Sequence, residues 1–310
     1  MKYSIITDYN RFTMQWESFG FSGGDADPNP GMKSAAKAHD QAPQLASSQR
    51  MTLVEDSDIE AKLQEICPGY DIKDYRLYPT IFRGASQPGT AYIGDSTASR
   101  RRSANAVNSI YNIVISSYTD YPDRLESVIA SYSHEYASSF SQRLFYVIPA
   151  KGTKVAVCSD VDIYDSYVKS LQPFDISSLG TLARALQVLC ELVGVNASEL
   201  RTLEEVKHTM ARLDEYVMVH SMELIKRNMG LINTTYTMKF LERMKETKQP
   251  LYDILRDVLN PDKAGFKQFT FGVDDSTEAY AGLNREVWFS GKYMLVEEAY
   301  MDAIRYKNKS

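Results

Sequence analysis

The stretch Leu77-Tyr78-Pro79-Thr80-Ile81-Phe82-Arg83-Gly84-Ala85-Ser86 decides how the rest of the chain is read. Thr80-Ile81-Phe82 reads as a short strand, because β-branched and aromatic side chains suit a pleated, half-buried surface. Arg83 closes it. A guanidinium at the end of a core strand needs a partner, since an unpaired buried charge is very unfavourable. Two partners suit it: a carboxylate of the protein or a phosphate of a ligand. Gly84 beside it leaves room for close approach to the backbone.

Upstream, residues 56–67 predict a helix. Asp56 or Ser57 can cap it, Ile59, Leu63 and Ile66 form an apolar stripe, and Pro68-Gly69 stops it. Before that, residues 3–21 are rich in aromatic positions. Gly23 to Gly31 is dominated by turn formers, and polar, small residues continue to about position 50. This reads as a linker or a loop ordered by a partner. The expected organisation is an N-terminal segment with a flexible linker over 1–55 and a main domain over 56–310.

Downstream, a Gly/Ser/Thr-rich loop is expected over 87–99 and a helix over 103–116. A strand follows at 127–133, then a helical turn near Phe140. The apolar runs 144–148 and 154–158 flank Pro149-Ala150-Lys151-Gly152-Thr153 and read as a β-hairpin. Helical spacing dominates 179–193, 199–228, 235–245 and 251–259. Strands return at 266–271, 286–289 and 293–296, with a turn at Ser290-Gly291 and a terminal helix to about Tyr306. The order of strands, helical block and strands predicts an α+β fold with a helical insertion at about 163–262, not alternating βαβ units.

Composition narrows the function. The 310-residue chain has 44% hydrophobic and 24% charged residues, ordinary for a globular protein. A net charge of −5 implies no general affinity for nucleic acid or anionic membrane. Cys67, Cys158 and Cys190 are far apart, so they read as buried free thiols in a reducing compartment. No apolar run is long enough to cross a bilayer, and the N-terminus lacks the apolar core of a signal peptide. His208 and His220 lack a second ligand at metal-binding spacing, so no metal is expected.

No P-loop, no GxGxxG after a strand, no HExxH and no Ser-His-Asp set is present. What remains is Arg83, Ser131 with Ser133, and Glu286, each on or beside a different expected strand. An arginine can fork onto a diphosphate. A small hydroxyl can hold a ribose or the arginine itself. A carboxylate can stabilise positive charge on an anomeric carbon as a glycosidic bond breaks.

Arg83 in Ile-Phe-Arg-Gly, Ser131-Tyr132-Ser133 followed by Ala137 and Phe140, and Asn284-Arg285-Glu286-Val287-Trp288-Phe289 resemble the Arg–Ser–Glu pattern of mono-ADP-ribosyltransferases. Arg102-Ser103-Ala104-Asn105 with Asn108 and Tyr111, the Tyr121-Pro122 turn and Glu286-Val287-Trp288 resemble ADP-ribosyltransferase-like proteins of tailed bacteriophages. The likeness covers about 75–158 and 265–296. It implies a split β-sandwich ADP-ribosyltransferase-like core with NAD, as substrate, in the cleft between two small sheets. It also implies transfer of ADP-ribose to a host macromolecule, a protein target first, with release of nicotinamide. The place of action would be the bacterial host cytoplasm, with packaging in the phage particle as a further option.

By that resemblance Glu286, Arg83 and Ser131 are the catalytic residues. Arg83, Gly84, Ser131, Ser133, Asn105 and Asn108 would bind NAD, and Asn284 and Tyr280 would recognise the acceptor. Many arginine-modifying members carry a glutamate two positions before the catalytic one. Here that position is Asn284, which cannot act as a base, so a target that needs no base, another residue type or plain NAD hydrolysis stays open. Plainer readings stand beside these. Glu286 could pair with Arg83 or Arg285 in a structural bridge, Ser131 and Ser133 could face solvent, and Tyr280 could serve a turn. Two other functions are open: a phage structural or virion-interior protein with a weakened site, and a module whose helical block docks a host factor.

Overall fold

The computed structural model describes residues 51–72, 78–98, 109–229, 234–273 and 283–307. The chain divides into Met1–Ala46 and Ser47–Ser310, and every described residue belongs to the second unit. The expected N-terminal segment therefore lies outside the described residues, apart from its last few positions.

Among the described residues, strands β1 (Thr52–Val54), β2 (Phe82–Gly84), β3 (Ala91–Asp95), β4 (Ser127–Ser131) and β5 (Leu144–Pro149) precede the helical block. Strand β6 (Lys154–Val157) leads into it, and β7 (Lys267–Thr270), β8 (Glu286–Ser290) and β9 (Lys292–Glu297) follow it. They join in the order β1-β3-β9-β5-β2-β4-β8-β6-β7, with antiparallel pairing throughout. The join between β2 and β4 is a single residue pair, Phe82 with Ser131. On its other side β2 meets β5 at three positions. The sheet thus has two halves held together at one point.

The hairpin expected over 144–158 is not formed. β5 pairs with β2 and β9, whereas β6 pairs with β7 and β8, so the two runs lie in opposite halves. Every residue of β5 is buried, and such a strand pairs on both edges with whatever completes its core. The turn between them is real, with Thr153 N–H donating to the Ala150 carbonyl at 3.0 Å, but it carries the chain from one half to the other. Gly291 makes a second crossing between β8 and β9. Its φ of 120° is a backbone state that side-chain-bearing residues rarely adopt. The Ala150 N–H donates to the Lys292 carbonyl at 2.9 Å and ties the two crossings together.

Two strands were illegible by propensity. β3 sits inside the Gly/Ser/Thr-rich stretch expected as loop, and β1 inside the stretch assigned to the N-terminal segment. Both are specified by long-range pairing: β3 lies between β1 and β9, in register with β9 over five residues.

Among the described residues the α-helices are α1 (Ile59–Ile66), α2 (Ser109–Ile115), α3 (His134–Ser138), α4 (Ile163–Ser166), α5 (Val168–Leu171), α6 (Leu179–Leu192), α7 (Leu203–Val219), α8 (Met222–Asn228), α9 (Thr234–Thr247), α10 (Leu251–Val258) and α11 (Glu298–Lys307). The single helix expected over 199–228 is broken. Thr202 and Glu205 form a capping box that starts α7, His220 turns extended (φ −112°, ψ 148°), and Ser221 caps α8 by accepting from Leu224 N–H.

Period-two alternation distributes the strands of the second half between two cores. Ala156 and Trp288 face a cluster filled by α2 and by side chains of α6 to α10. Val128, Ala130, Val155, Val157, Val287 and Phe289 join Phe145, Val147, Tyr293 and Leu295 of the first half in another cluster. One apolar core therefore draws on both halves of the sheet. Among the described residues the helical block shares its core with α2 and the sheet. The fold is α+β, built on a large antiparallel sheet.

Candidate active site

Ser131 ends β4 and Glu286 begins β8, and the two are register partners. Phe82 is the partner of Ser131 on the other side, so Phe82, Ser131 and Glu286 form one row across the point where the halves meet. Arg83 follows Phe82 directly. Its Nη1 donates to the Ile129 carbonyl, two residues back along β4, at 3.1 Å.

Among the described residues Arg83 has no carboxylate partner. Burial lowers its pKa from the usual arginine value, partly offset by Tyr293, yet an arginine stays a cation in proteins. A half-buried cation with one main-chain acceptor has donors left over. That is what an anionic ligand would meet.

Ser131 is buried and fully used. Its hydroxyl donates to the Arg285 carbonyl at 3.1 Å and accepts from Ser133 N–H at 3.0 Å. It thereby fixes the residue that precedes Glu286. The Ser133 hydroxyl accepts from Tyr136 N–H at 3.0 Å as the cap of α3, which gives it a structural task. The room beside Gly84 also has an internal explanation. A Cβ there would lie 2.4 Å from the Ala137 carbonyl and 2.9 Å from Ser141 N, so the protein's own chain occupies that space.

Glu286 pairs with neither Arg83 nor Arg285. Arg285 reaches the carbonyls of Cys158, at 3.0 Å, and Ser159. The partner of Glu286 is Arg124, with Nη2 at 2.7 Å from Oε1 and both side chains at about one-tenth exposure. Arg124 is held at two further points: Nε donates to Asn112 Oδ1 at 3.1 Å, and the guanidinium stacks 5.1 Å from the Trp288 ring centroid. Its Nη1 is buried with no hydrogen-bond partner among the described residues. Burial works against the charge on Arg124, but Glu286, Cys158 and Tyr111 outweigh it and raise its pKa.

The turn that carries Arg124 is anchored by serines. Ser127 and Ser290 are register partners, and both donate to the Asp123 carbonyl, at 2.6 and 3.0 Å. Trp288 Nε1 donates to the Pro122 carbonyl at 3.1 Å. The Tyr121-Pro122 turn thus sets the position from which Arg124 reaches along the face of β8 to Glu286.

Around the carboxylate lie Tyr111, part of the sequence likeness described above, and groups to which sequence reasoning gave no role in the site. Cys158 Sγ is 3.9 Å from Glu286 Oε1, and burial, with Glu286 adding, pushes its thiol well above the ordinary range. Burial raises Tyr136 too, with Asp162 and Glu286 adding. Tyr111 is buried against Tyr164, hydroxyl to hydroxyl at 3.1 Å. The chain after β6 runs beside Glu286: Cys158 N–H donates to the Glu286 carbonyl at 2.9 Å, and Glu286 N–H to the Val161 carbonyl at 2.7 Å. Neither Arg124 nor Asp162 belongs to any short motif. The only sequence signal was an arginine after a Pro-Asp turn and an acidic run after a buried strand.

Asn284 is exposed, two residues before Glu286. Asn105, Asn108 and Tyr280 lie outside the described residues. Among the described residues no group of three or more His, Cys, Asp or Glu could hold a metal ion, and no helix is long and apolar enough to cross a membrane. Cys67, Cys158 and Cys190 are free and buried.

Compared with known proteins, the chain matches no family model, no curated protein and no solved structure.

Proposed function

We propose that the chain is a mono-ADP-ribosyltransferase of the Arg–Ser–Glu type, with NAD as substrate and an acceptor, expected to be a protein, in a bacterial host. The observation that carries this reading is Arg83: a cation without a carboxylate partner among the described residues, set beside the row Phe82–Ser131–Glu286. Two half-sheets joined at one residue pair and sharing a core also suit the split β-sandwich of that family.

In this reading Arg83 forks onto the NAD diphosphate. Ser131 acts by holding the chain that leads into Glu286. The Glu286 carboxylate stabilises the positive charge that builds on the ribose as the bond to nicotinamide breaks, and it favours the transition state over the ground state. Arg124 holds the carboxylate in place through Oε1. Oε2 has no protein partner among the described residues.

The Arg124–Glu286 bridge favours a second reading as well. A chain that kept this fold as a virion component or host-factor module could hold Glu286 as a structural ion. Incubating the protein with NAD and host lysate separates the two. Nicotinamide release and labelling by the wild type, both lost in Glu286→Gln, support the transferase. A folded wild type that neither cleaves NAD nor labels anything leaves the structural role.

A further inference from the structure

Position 284 carries an exposed amide, so the acceptor side of the reaction needs its proton-accepting group from elsewhere. The segment hydrogen-bonded to the Glu286 main chain carries a carboxylate. Val161 accepts the Glu286 N–H at 2.7 Å, and the next residue is Asp162, with 8% of its surface exposed. Asp162 caps α4, its Oδ1 accepting from Asp165 N–H at 2.9 Å, and Ser166 Oγ donates to its carbonyl at 2.6 Å. It has no cationic partner among the described residues.

We propose that Asp162 is the base of the transfer step: it takes the proton of an acceptor hydroxyl, water included, as that oxygen bonds to the anomeric carbon. This rests on the NAD-cleaving reading of Glu286 and extends it to the acceptor. In the step, the acceptor oxygen forms the new C–O bond. The ribose–nicotinamide C–N bond breaks with its electron pair going to the ring nitrogen, which leaves as neutral nicotinamide. The acceptor proton ends on the Asp162 carboxylate.

The groups facing Asp162 are Glu286 on β8, Asp165 and Tyr164 on α4, Tyr136 on α3, and Cys158. Burial pushes its carboxyl up to about 6, with Glu286 and Asp165 adding and the N–H groups of Asp165 and Tyr164 opposing. A base is most effective with a pKa near the working pH. Glu286 is held by Arg124 while Asp162 is buried with no cationic partner among the described residues. Two neighbouring carboxylates in unlike environments take unlike roles.

The test is Asp162→Asn, since asparagine caps a helix as well as aspartate and keeps α4 in place. Nicotinamide release from NAD is measured with water as acceptor, with and without sodium azide, an anion that has no proton to lose. The variant should lose about a hundredfold or more in rate at unchanged NAD affinity. The wild-type rise in rate around pH 6 should also vanish. Azide should restore the rate in the variant alone, with ADP-ribosyl azide as product. A variant that turns over like the wild type overturns the proposal. So does a folded, NAD-binding variant that azide fails to restore. If the wild type itself releases no nicotinamide, with or without azide, the NAD reading fails and the proposal falls with it.

Discussion

Arg124 Nη2 and Glu286 Oε1 stand 2.7 Å apart in a bridge almost closed to solvent. Desolvating two ions offsets much of their attraction, so the pair adds little net stability, whereas removing one partner strands the other. Arg124→Met should therefore destabilise the protein by about 3–5 kcal/mol. Arg124→Met combined with Glu286→Gln should recover about 1–3 kcal/mol of that loss. Urea melts of the four proteins in the cycle measure the coupling. Purely additive losses would mean that the bridge is not what holds these side chains.

Arg83 and Glu286 should fail in different ways. Arg83→Met removes a charge with no acidic partner among the described residues and one hydrogen bond, so stability should change by only about 1 kcal/mol. NAD affinity should fall sharply, and Arg83→Lys should weaken it too, because lysine keeps the charge but not the fork. Glu286→Gln should leave affinity nearly intact and lower turnover about a hundred- to a thousandfold. Calorimetry with NAD and initial rates of nicotinamide release separate the two effects. Equal affinity of wild type and Arg83→Lys would remove the phosphate role.

What the sequence made legible follows from where the information lies. Helix α1, strands β4 to β9 and most of the helical block announce themselves by local periodicity and caps. Partner choice does not. Nothing local tells Leu144–Pro149 to pair with β2 and β9 rather than with its neighbour β6. In the candidate site, Arg83, Ser131 and Glu286 stand out in the sequence because each closes or opens an apolar run with a polar residue. Arg124 and Asp162 were not, since their meaning comes from the Ser127–Ser290 clamp and from the bond between Val161 and Glu286.

Gly84 offers a test of how firmly β2 is placed. A methyl group there would meet main-chain atoms at 2.4 and 2.9 Å, which a rotamer change cannot relieve. Gly84→Ala should cost about 1–3 kcal/mol as α3 and β2 move apart. Arg83 would move with β2, so NAD affinity should drop alongside stability. A melt like that of the wild type would mean that the close approach relaxes freely.

Asp162 carries the last prediction, which concerns stability and not rate. Its carboxyl is raised from 3.8 to about 6 by burial, with Glu286 adding, so between those pH values the folded state binds more protons than the unfolded state. Where the folded state binds more protons, stability falls as pH rises. The protein should therefore lose stability across pH 4 to 6 on account of this residue, by on the order of 2–3 kcal/mol. Asp162→Asn removes the titration and keeps the cap, so its advantage over the wild type should be absent near pH 4 and reach its full size at pH 7. Denaturant melts at several pH values give the difference directly. A fold that retains an ion at this expense when asparagine would serve the cap equally well is explained if the charge is needed at the site. A flat difference between the two proteins from pH 4 to 7 would place Asp162 in ordinary solvent contact, and its role as a buried base would go with it.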